Sequence, residues 1–168
     1  MRVAVTGTPG TGKTTATERL DTDLDVVHLN DVVTSEGFST GRDEERGSLV
    51  ADLDAVADWL DGRDDVVFES HLAHHFDADR VIVLRAHPET VAARLRGRGD
   101  EEAKAAENAE SEALDVILSE AVDRHGIDSV YEVVTTDRDP DEVAAAIEAV
   151  LRGERDPSAG TVSYVEWL

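Results

Sequence analysis

The stretch VAVTGTPGTGKTT at residues 3–15 decides the fold of this chain. An apolar run leads into two glycines, Gly7 and Gly12, which have four residues between them and are followed by Lys13 and Thr14. This spacing fits the Walker A pattern, in which glycines let backbone N–H groups face a phosphate. A β-branched stretch precedes the loop and good helix formers follow it through residue 20. The sequence therefore predicts a strand, a phosphate-binding loop and a helix.

Each polar residue of this loop has a predicted role toward ATP and Mg²⁺. Lys13 can reach the β- and γ-phosphates as a point charge, and the Thr14 hydroxyl can ligate Mg²⁺. Thr15 can add a contact to the α-phosphate. The alternative, a Gly/Pro-rich turn that only resembles the motif, does not explain the complete spacing and its correct flanks.

The composition is strongly acidic. Among 168 residues, 38 are acidic and 16 are basic, which gives a formal net charge of -22, and the only lysines are Lys13 and Lys104. Molar salt would screen this self-repulsion to a few ångströms, so we expect a chain from a halophilic archaeon. An acidic interaction surface is the alternative. In a halophile the charge says little about partners, and we find no strong signal for nucleic-acid binding.

Other compositional features narrow the class of protein. The chain has no cysteine, which excludes disulfides and thiolate metal sites. It has no run of about 18 apolar residues and no basic–apolar leader, so we expect a cytoplasmic protein without a membrane contact. The length suits one P-loop kinase domain over residues 1–168, which we expect to be monomeric.

The apolar pattern predicts five strands that alternate with helices, at residues 2–6, 25–29, 65–69, 80–85 and 129–135. Such alternation is typical of an α/β P-loop NTPase fold, a doubly wound five-stranded parallel sheet with helices on both faces. Polar and turn-forming residues at 38–48 predict a mobile, solvent-facing loop. Helices are predicted over 49–60, 87–96, 101–124 and 139–151, and the tail, residues 153–168, should be a loop with an apolar end.

The strand at 65–69 ends in Glu69-Ser70-His71. An acid at this place in a P-loop protein can hold the Mg²⁺ shell through water, so Glu69 is a candidate metal residue. His71 is a candidate catalytic residue that orients an attacking water or the substrate. The alternatives are an ordinary strand-end acid and a structural, hydrogen-bonded histidine.

More histidines and acids follow, at His74, His75, Asp77 and Asp79. Together with His71 they could suggest a metal site, but their spacing defines no ligand geometry. Solvated loop histidines are the favoured interpretation.

Several arginines lie where phosphates could be bound. Arg94, Arg96 and Arg98 alternate at the end of a helix, and a flexible arginine loop closing on the γ-phosphate is what a water-excluding lid needs. The alternative interpretation is that these three arginines are simply solvated at the end of a helix. Arg42 and Arg46 could contact the phosphate of a second substrate, or could simply be solvated.

These motifs together resemble the adenylate kinase family, and within it the adenylate kinase isoenzyme 6 subfamily. The resemblance covers nearly the whole chain. It rests on TGTPGTGKTT at 6–15, GRDEERGS at 41–48, VADLD at 50–54, ESH at 69–71, VIVLRAHPETVAARLRGRG at 81–99 and ENAESEALDVILSEA at 107–121.

The resemblance implies both a reaction and a set of binding residues. ATP would be held by the loop residues Gly10, Gly12, Lys13, Thr14 and Thr15, with Arg98 in a short lid near 97–107. AMP or another nucleoside monophosphate would bind under a segment near 28–51 and accept the γ-phosphoryl group of MgATP. The subfamily is also described as an ATPase that binds a small-subunit ribosomal protein during rRNA maturation.

The sequence departs from ordinary adenylate kinases in two places. They follow the second strand with Thr-Gly-Asp-x-x-Arg, where this chain has residues 29–34, LNDVVT, and no arginine. They also carry Gly-x-Pro-Arg where Glu69-Ser70-His71 stands here; the subfamily usually has Asp-x-His. Three functions stay open: a monophosphate kinase, an ATPase assembly factor for the small ribosomal subunit, and a small P-loop kinase for another metabolite.

Overall fold

The structure, a computed structural model, describes residues 1–43 and 48–168. Its strands are β1 (Arg2–Thr6), β2 (Asp25–His28), β3 (Ser39–Asp43), β4 (Ser48–Ala51), β5 (Val66–Glu69), β6 (Arg80–Arg85) and β7 (Val130–Val134). Its α-helices are α1 (Lys13–Thr17), α2 (Leu29–Glu36), α3 (Leu53–Leu60), α4 (Pro88–Gly97), α5 (Glu102–Ala113), α6 (Val116–His125) and α7 (Pro140–Leu151). None of the helices within the described ranges is both long and apolar enough to cross a membrane.

Five strands form a parallel sheet in the order β2-β5-β1-β6-β7. The predicted parallel, five-stranded α/β sheet is therefore confirmed. β1 lies at its centre, with Val5 opposite Glu69 on β5 and Ile82 on β6. Because all five strands run the same way, their carboxyl ends meet at one edge, where ligands bind in open α/β sheets.

Helices cover both faces of the sheet, which explains the continuous apolar runs of its strands. On one face, Ala4, Phe68 and Val83 pack with Val56 and Leu60 of α3 and with residues of α6. On the other face, alternate strand residues pack against α1 and α7. The strand residues are Val3, Val5, Val67, Ile82 and Leu84, and the helix residues are Ala16 of α1 with Val143 and Ile147 of α7. The central strand β1, whose carboxyl end leads into the Walker A loop, is thus packed on both faces.

The prediction of a solvent-facing loop over 38–48 is wrong in its secondary structure where the structure describes it, although residues 39–42 are exposed as predicted. β3 and β4 pair as an antiparallel hairpin, with Arg42 opposite Leu49 and Gly41 opposite Val50. A two-stranded ribbon needs no alternation of apolar and polar residues, so the sequence pattern did not reveal it. Residues 44–47 lie outside the described part of the chain.

Three helix predictions also need correction. Helix α3 begins at Leu53 rather than residue 49, because Asp52 caps it by accepting a hydrogen bond from the Ala55 N–H at 3.1 Å. Helix α1 ends at Thr17, three residues before the predicted end. The predicted helix 101–124 is two helices, α5 and α6, which are separated at Asp115.

Asp115 is one of three aspartates with left-handed backbone conformations. Its φ is 55°, and Asp65 and Asp137 have φ values of 51° and 55°. Aspartate tolerates this region because its short side chain can form local hydrogen bonds. A helix break without glycine or proline is therefore possible at residue 115.

Candidate nucleotide site

The loop between β1 and α1 is tightly packed against β6. A Cβ atom on Gly7 would lie 2.7 Å from both the Leu84 carbonyl oxygen and the Thr11 hydroxyl. The Thr11 hydroxyl donates to the Thr8 carbonyl at 2.8 Å, and Gly12 has a φ of 87° at the start of α1. Only glycine fits at position 7, which allows the loop to turn sharply toward the carboxyl edge of the sheet.

Lys13 lies along this loop. Its Nζ atom donates to the carbonyl oxygens of Gly7 at 2.9 Å and Thr8 at 3.2 Å. Burial lowers the pKa of the Lys13 ammonium to about 8, although nearby Glu69 opposes that shift. The group is thus a desolvated cation at neutral pH, and its attraction for a phosphate is larger than that of a lysine in water.

Thr14 and Glu69 come together as the sequence predicts. The Thr14 hydroxyl donates to Glu69 Oε1 at 3.0 Å, and His28 Nδ1 lies 2.7 Å from the same oxygen. Glu69 is buried at the end of β5, whereas Thr14 and the neighbouring Thr15 are exposed toward the cavity. A hydroxyl and a carboxylate are hard oxygen ligands, so this pair fits Mg²⁺ better than a softer metal.

Arg94 supports the loop rather than a lid. Its guanidinium donates to the Gly10 carbonyl at 3.2 Å and to the Thr135 carbonyl at 3.1 Å. The Thr135 hydroxyl in turn donates to the Thr11 carbonyl at 2.9 Å. The prediction of three lid arginines is therefore wrong for Arg94, because its hydrogen bonds are used to fix the loop backbone.

The other two arginines lie near the end of α4. Arg96 pairs with Glu102 on α5 through two contacts of 2.6 and 2.5 Å. Arg98 pairs with Asp100 at 2.8 Å, is about half exposed and lines the cavity. Of these three arginines, Arg98 is the one that lines the cavity, and its role in a lid stays a prediction.

Glu112 of α5 connects the loop to the residue that follows β6. Its carboxylate accepts from the Thr8 hydroxyl at 3.0 Å and from the Ala86 N–H at 2.8 Å. It also contacts Arg85, which is almost fully buried and pairs with Asp115 and Glu132 as well. Five buried or half-buried polar side chains and the Ala86 N–H thus satisfy one another behind the loop.

A cavity of about 730 Å³ opens at this edge of the sheet. One part of its lining comes from the loop and the start of α1, namely residues 8–10 and 12–15, and another part comes from Leu29, Asn30, Val33, Thr34, Ala51 and Leu53. Among the described residues that line it, the arginine and lysines are Arg98, Lys13 and Lys104. The described Arg42 is exposed and is not part of the lining, and Arg46 lies outside the described residues.

His71 faces the cavity, as expected from the sequence. Burial, followed by the charge of Lys13, lowers the pKa of its imidazole to about 4. The ring is therefore neutral at pH 7 and can accept a hydrogen bond from a substrate or water. The prediction of solvated loop histidines is wrong for His74, which is 1% exposed.

Two residues of the candidate site were missed by sequence reasoning. His28 contacts Glu69 across 41 positions, and Glu112 contacts Thr8 across 104 positions. Arg94 was named as a lid arginine, and its role in holding the loop backbone was not foreseen. Nothing local in the sequence marks such long-range pairs, and the helical position of Arg94, one turn before Arg98, does not distinguish the roles of these two arginines.

The sheet order and the Walker A loop after β1 define a P-loop protein with a kinase-like fold. Deoxyadenosine kinase from M. mycoides, solved with bound dCTP, shares this fold: its TM-score is 0.54 at 14% identity, covering 91% of this chain and 100% of that one.

Sequence comparisons identify the family. The AAA domain family model matches residues 3–115. A Halobacterium salinarum protein named "Putative adenylate kinase" is 66% identical over 169 residues, and one of the same name from Natronomonas pharaonis is 65% identical over 168; each match covers 100% of both chains. The chain belongs to the AAA domain family, within the group of archaeal proteins that carry this name. Both relatives come from halophilic archaea, as the acidic composition led us to expect for this chain.

Proposed function

We propose that this protein is an adenylate kinase that transfers the γ-phosphoryl group of MgATP to AMP. The observation that carries the proposal is the cavity, which extends from the phosphate-binding loop to α2 and therefore has room for a donor and an acceptor at opposite ends. The name of the relatives supports the same reaction.

The proposed donor end consists of the loop and Glu69. Gly10, Gly12 and Thr15 would surround the phosphates, while Lys13 would bind the β- and γ-phosphates. Thr14 and Glu69 would hold Mg²⁺, which when bound would neutralise charge on the phosphate oxygens. His28 would keep the Glu69 carboxylate oriented toward the metal.

The proposed acceptor end lies under the segment 28–51, and the lid comprises residues 97–107. Arg98, whose side chain is about half exposed, would leave its partner Asp100 for the transferred phosphoryl group, an exchange that costs little because ion pairs at the surface are weak. Neutral His71 would accept a hydrogen bond from the attacking group. Positioning and charge stabilisation would supply the catalysis, with no covalent enzyme intermediate.

A second function is favoured by one specific observation. The described lining of the acceptor end has no arginine to bind a monophosphate. An ATPase of the adenylate kinase isoenzyme 6 type, which binds a small-subunit ribosomal protein in the cytoplasm and acts in rRNA maturation, would not need one. Both activities can occur in one protein, since a kinase without its acceptor can transfer to water.

Turnover of MgATP in molar KCl, with and without AMP, separates these proposals. ADP and free phosphate are followed together by phosphorus NMR. We expect two ADP per AMP consumed and little free phosphate. Release of phosphate at a rate that is indifferent to AMP would contradict the kinase proposal and favour the ATPase.

A further inference from the structure

A second cluster of ligating side chains lines the same cavity, away from the Walker A residues in sequence. It comprises His74 and His75, in a 3₁₀ turn after β5, and Glu120 on α6. One nitrogen or oxygen atom of each residue lies within 4.8 Å of those of the other two. Two imidazoles and one carboxylate are a common ligand set for divalent transition metals.

The distances fit a tetrahedral ion better than hydrogen bonds. His74 Nε2 lies 3.4 Å and His75 Nε2 3.6 Å from Glu120 Oε2, which is long for a hydrogen bond between charged or polar groups. Two atoms that each lie about 2.1 Å from a tetrahedral Zn²⁺ are about 3.4 Å apart. The separations therefore leave space for an ion between the three groups.

Neighbouring groups orient the cluster in advance. His74 Nδ1 lies 2.7 Å from the Thr6 hydroxyl, and His125 Nε2 lies 2.7 Å from the His74 carbonyl oxygen. When Nδ1 donates to Thr6, Nε2 keeps its lone pair for a metal, which is the arrangement usual for metal-bound histidine. The rings of His74 and His75 lie side by side, with their centroids 4.4 Å apart.

We propose that His74, His75 and Glu120 form a transition-metal site, for which Zn²⁺ is the best match. Three protein ligands leave a fourth tetrahedral position for water or for an oxygen atom of a molecule in the cavity. A bound ion would tie the turn after β5 to α6.

Zinc content and Co²⁺ absorption test the proposal on the full chain without a histidine tag. The protein is stripped with chelator, incubated with Zn²⁺ in molar KCl and gel filtered, and zinc per chain is then measured by mass spectrometry. We expect close to one zinc per chain. Co²⁺ in place of Zn²⁺ should give the intense visible absorption of a four-coordinate site.

Matched variants locate the ion. Glu120→Gln and His75→Ala change half-exposed or exposed side chains, so both should fold, and each should bind zinc at least tenfold more weakly. Asp123→Asn, an exposed acid on the same helix, should bind zinc as the wild type does.

Three results would overturn the proposal: no zinc in the wild type, equal zinc in the wild type and Glu120→Gln, or loss of zinc in Glu69→Gln with retention in Glu120→Gln. The last result would place the ion at the Walker A loop. Because the readouts are metal content and absorption, their failure is distinct from a failure of the kinase proposal.

Discussion

The two ends of the cavity are built differently. At the loop end, buried or half-buried partners hold the backbone: Gly7 packs against β6, Arg94 and Thr135 bind the loop carbonyls, and Glu112 binds Thr8. At the α2 end, Asn30 and Thr34 are exposed, and the Ser70 hydroxyl contacts the Asn30 side chain at a long 3.3 Å. The proposed donor end is therefore preorganised, whereas these side chains of the proposed acceptor end have fewer buried partners.

The largest expected effect is a loss of stability when Glu112, which supports the preorganised end, is removed. Glu112→Ala leaves buried Arg85 with fewer partners and the Ala86 N–H without one, so the free energy of unfolding should fall by about 3 kcal/mol. Urea unfolding in molar KCl measures it. Glu110→Ala on the exposed face of α5 is the control, and equal unfolding midpoints for the two variants would contradict our description.

The next prediction concerns turnover. Removal of the Lys13 charge should lower the rate strongly while the chain still folds. Lys13→Ala should lower kcat by about 10²- to 10³-fold, because a preorganised cation is lost from the developing phosphate charge. Steady-state ADP formation measures this loss, and circular dichroism checks folding. Normal turnover by this variant would refute the assignment of the donor end.

Substitution of Glu69 should change the metal requirement more than the turnover at saturating metal. Glu69→Gln keeps the shape but removes the negative charge, so the Mg²⁺ concentration for half-maximal rate should rise about 10- to 100-fold. A Mg²⁺ titration at fixed ATP measures it. Asp25→Asn on β2 serves as an exposed control, and an identical titration for both variants would remove Glu69 from the metal site.

A smaller effect is expected at the acceptor end. Asn30→Ala should raise the KM for AMP about fivefold, equivalent to about 1 kcal/mol for one hydrogen bond, with the KM for ATP unchanged. Glu36→Ala at the far end of α2 is the control. A parallel rise in both KM values would show that the two ends are not independent.

The smallest expected effect is a pH dependence that originates in Lys13. With a pKa near 8, about three quarters of the ammonium groups are neutral at pH 8.5, so an ATP analogue should bind about fourfold more weakly there than at pH 7. Stability should change in the opposite direction: the unfolded chain binds more protons between pH 8 and 10.5, so this group stabilises the fold as the pH rises.

Isothermal titration with a non-hydrolysable ATP analogue measures the affinity at each pH. Lys13→Arg supplies the control, because a guanidinium stays charged over this range and the decline should disappear. A decline of equal size in that variant would assign the pH dependence to another group.

The donor end was largely predictable from the sequence, and the acceptor end was not. The loop, Lys13, Thr14 and the acid at the end of β5 follow from a local motif and from a strand covered on both faces, which gives a continuous apolar run. The β3–β4 hairpin escaped prediction because its strands carry polar and glycine residues. The break at Asp115 escaped because apolar residues continue on both sides of it.

The supporting residues were unpredictable for a different reason. His28 and Glu112 act through partners that are far away in sequence, and such pairs follow from the sheet order rather than from any local pattern. Arg94 shows that charge and position near a glycine-rich turn are insufficient to assign a lid. Its partners, the Gly10 and Thr135 carbonyls, are visible only in three dimensions.

The left-handed aspartates have a consequence for the entropy of folding. Glycine adopts this backbone conformation without strain, but it also gives the unfolded chain the largest number of conformations to lose. At residues 65, 115 and 137 the chain uses aspartate instead, which narrows the unfolded ensemble at those turns. A substitution of each by glycine would relieve local strain yet increase the conformational freedom that folding must remove. Some of the acidic residues of this chain thus lie at turns, where the presence of a side chain restricts the backbone of the unfolded chain.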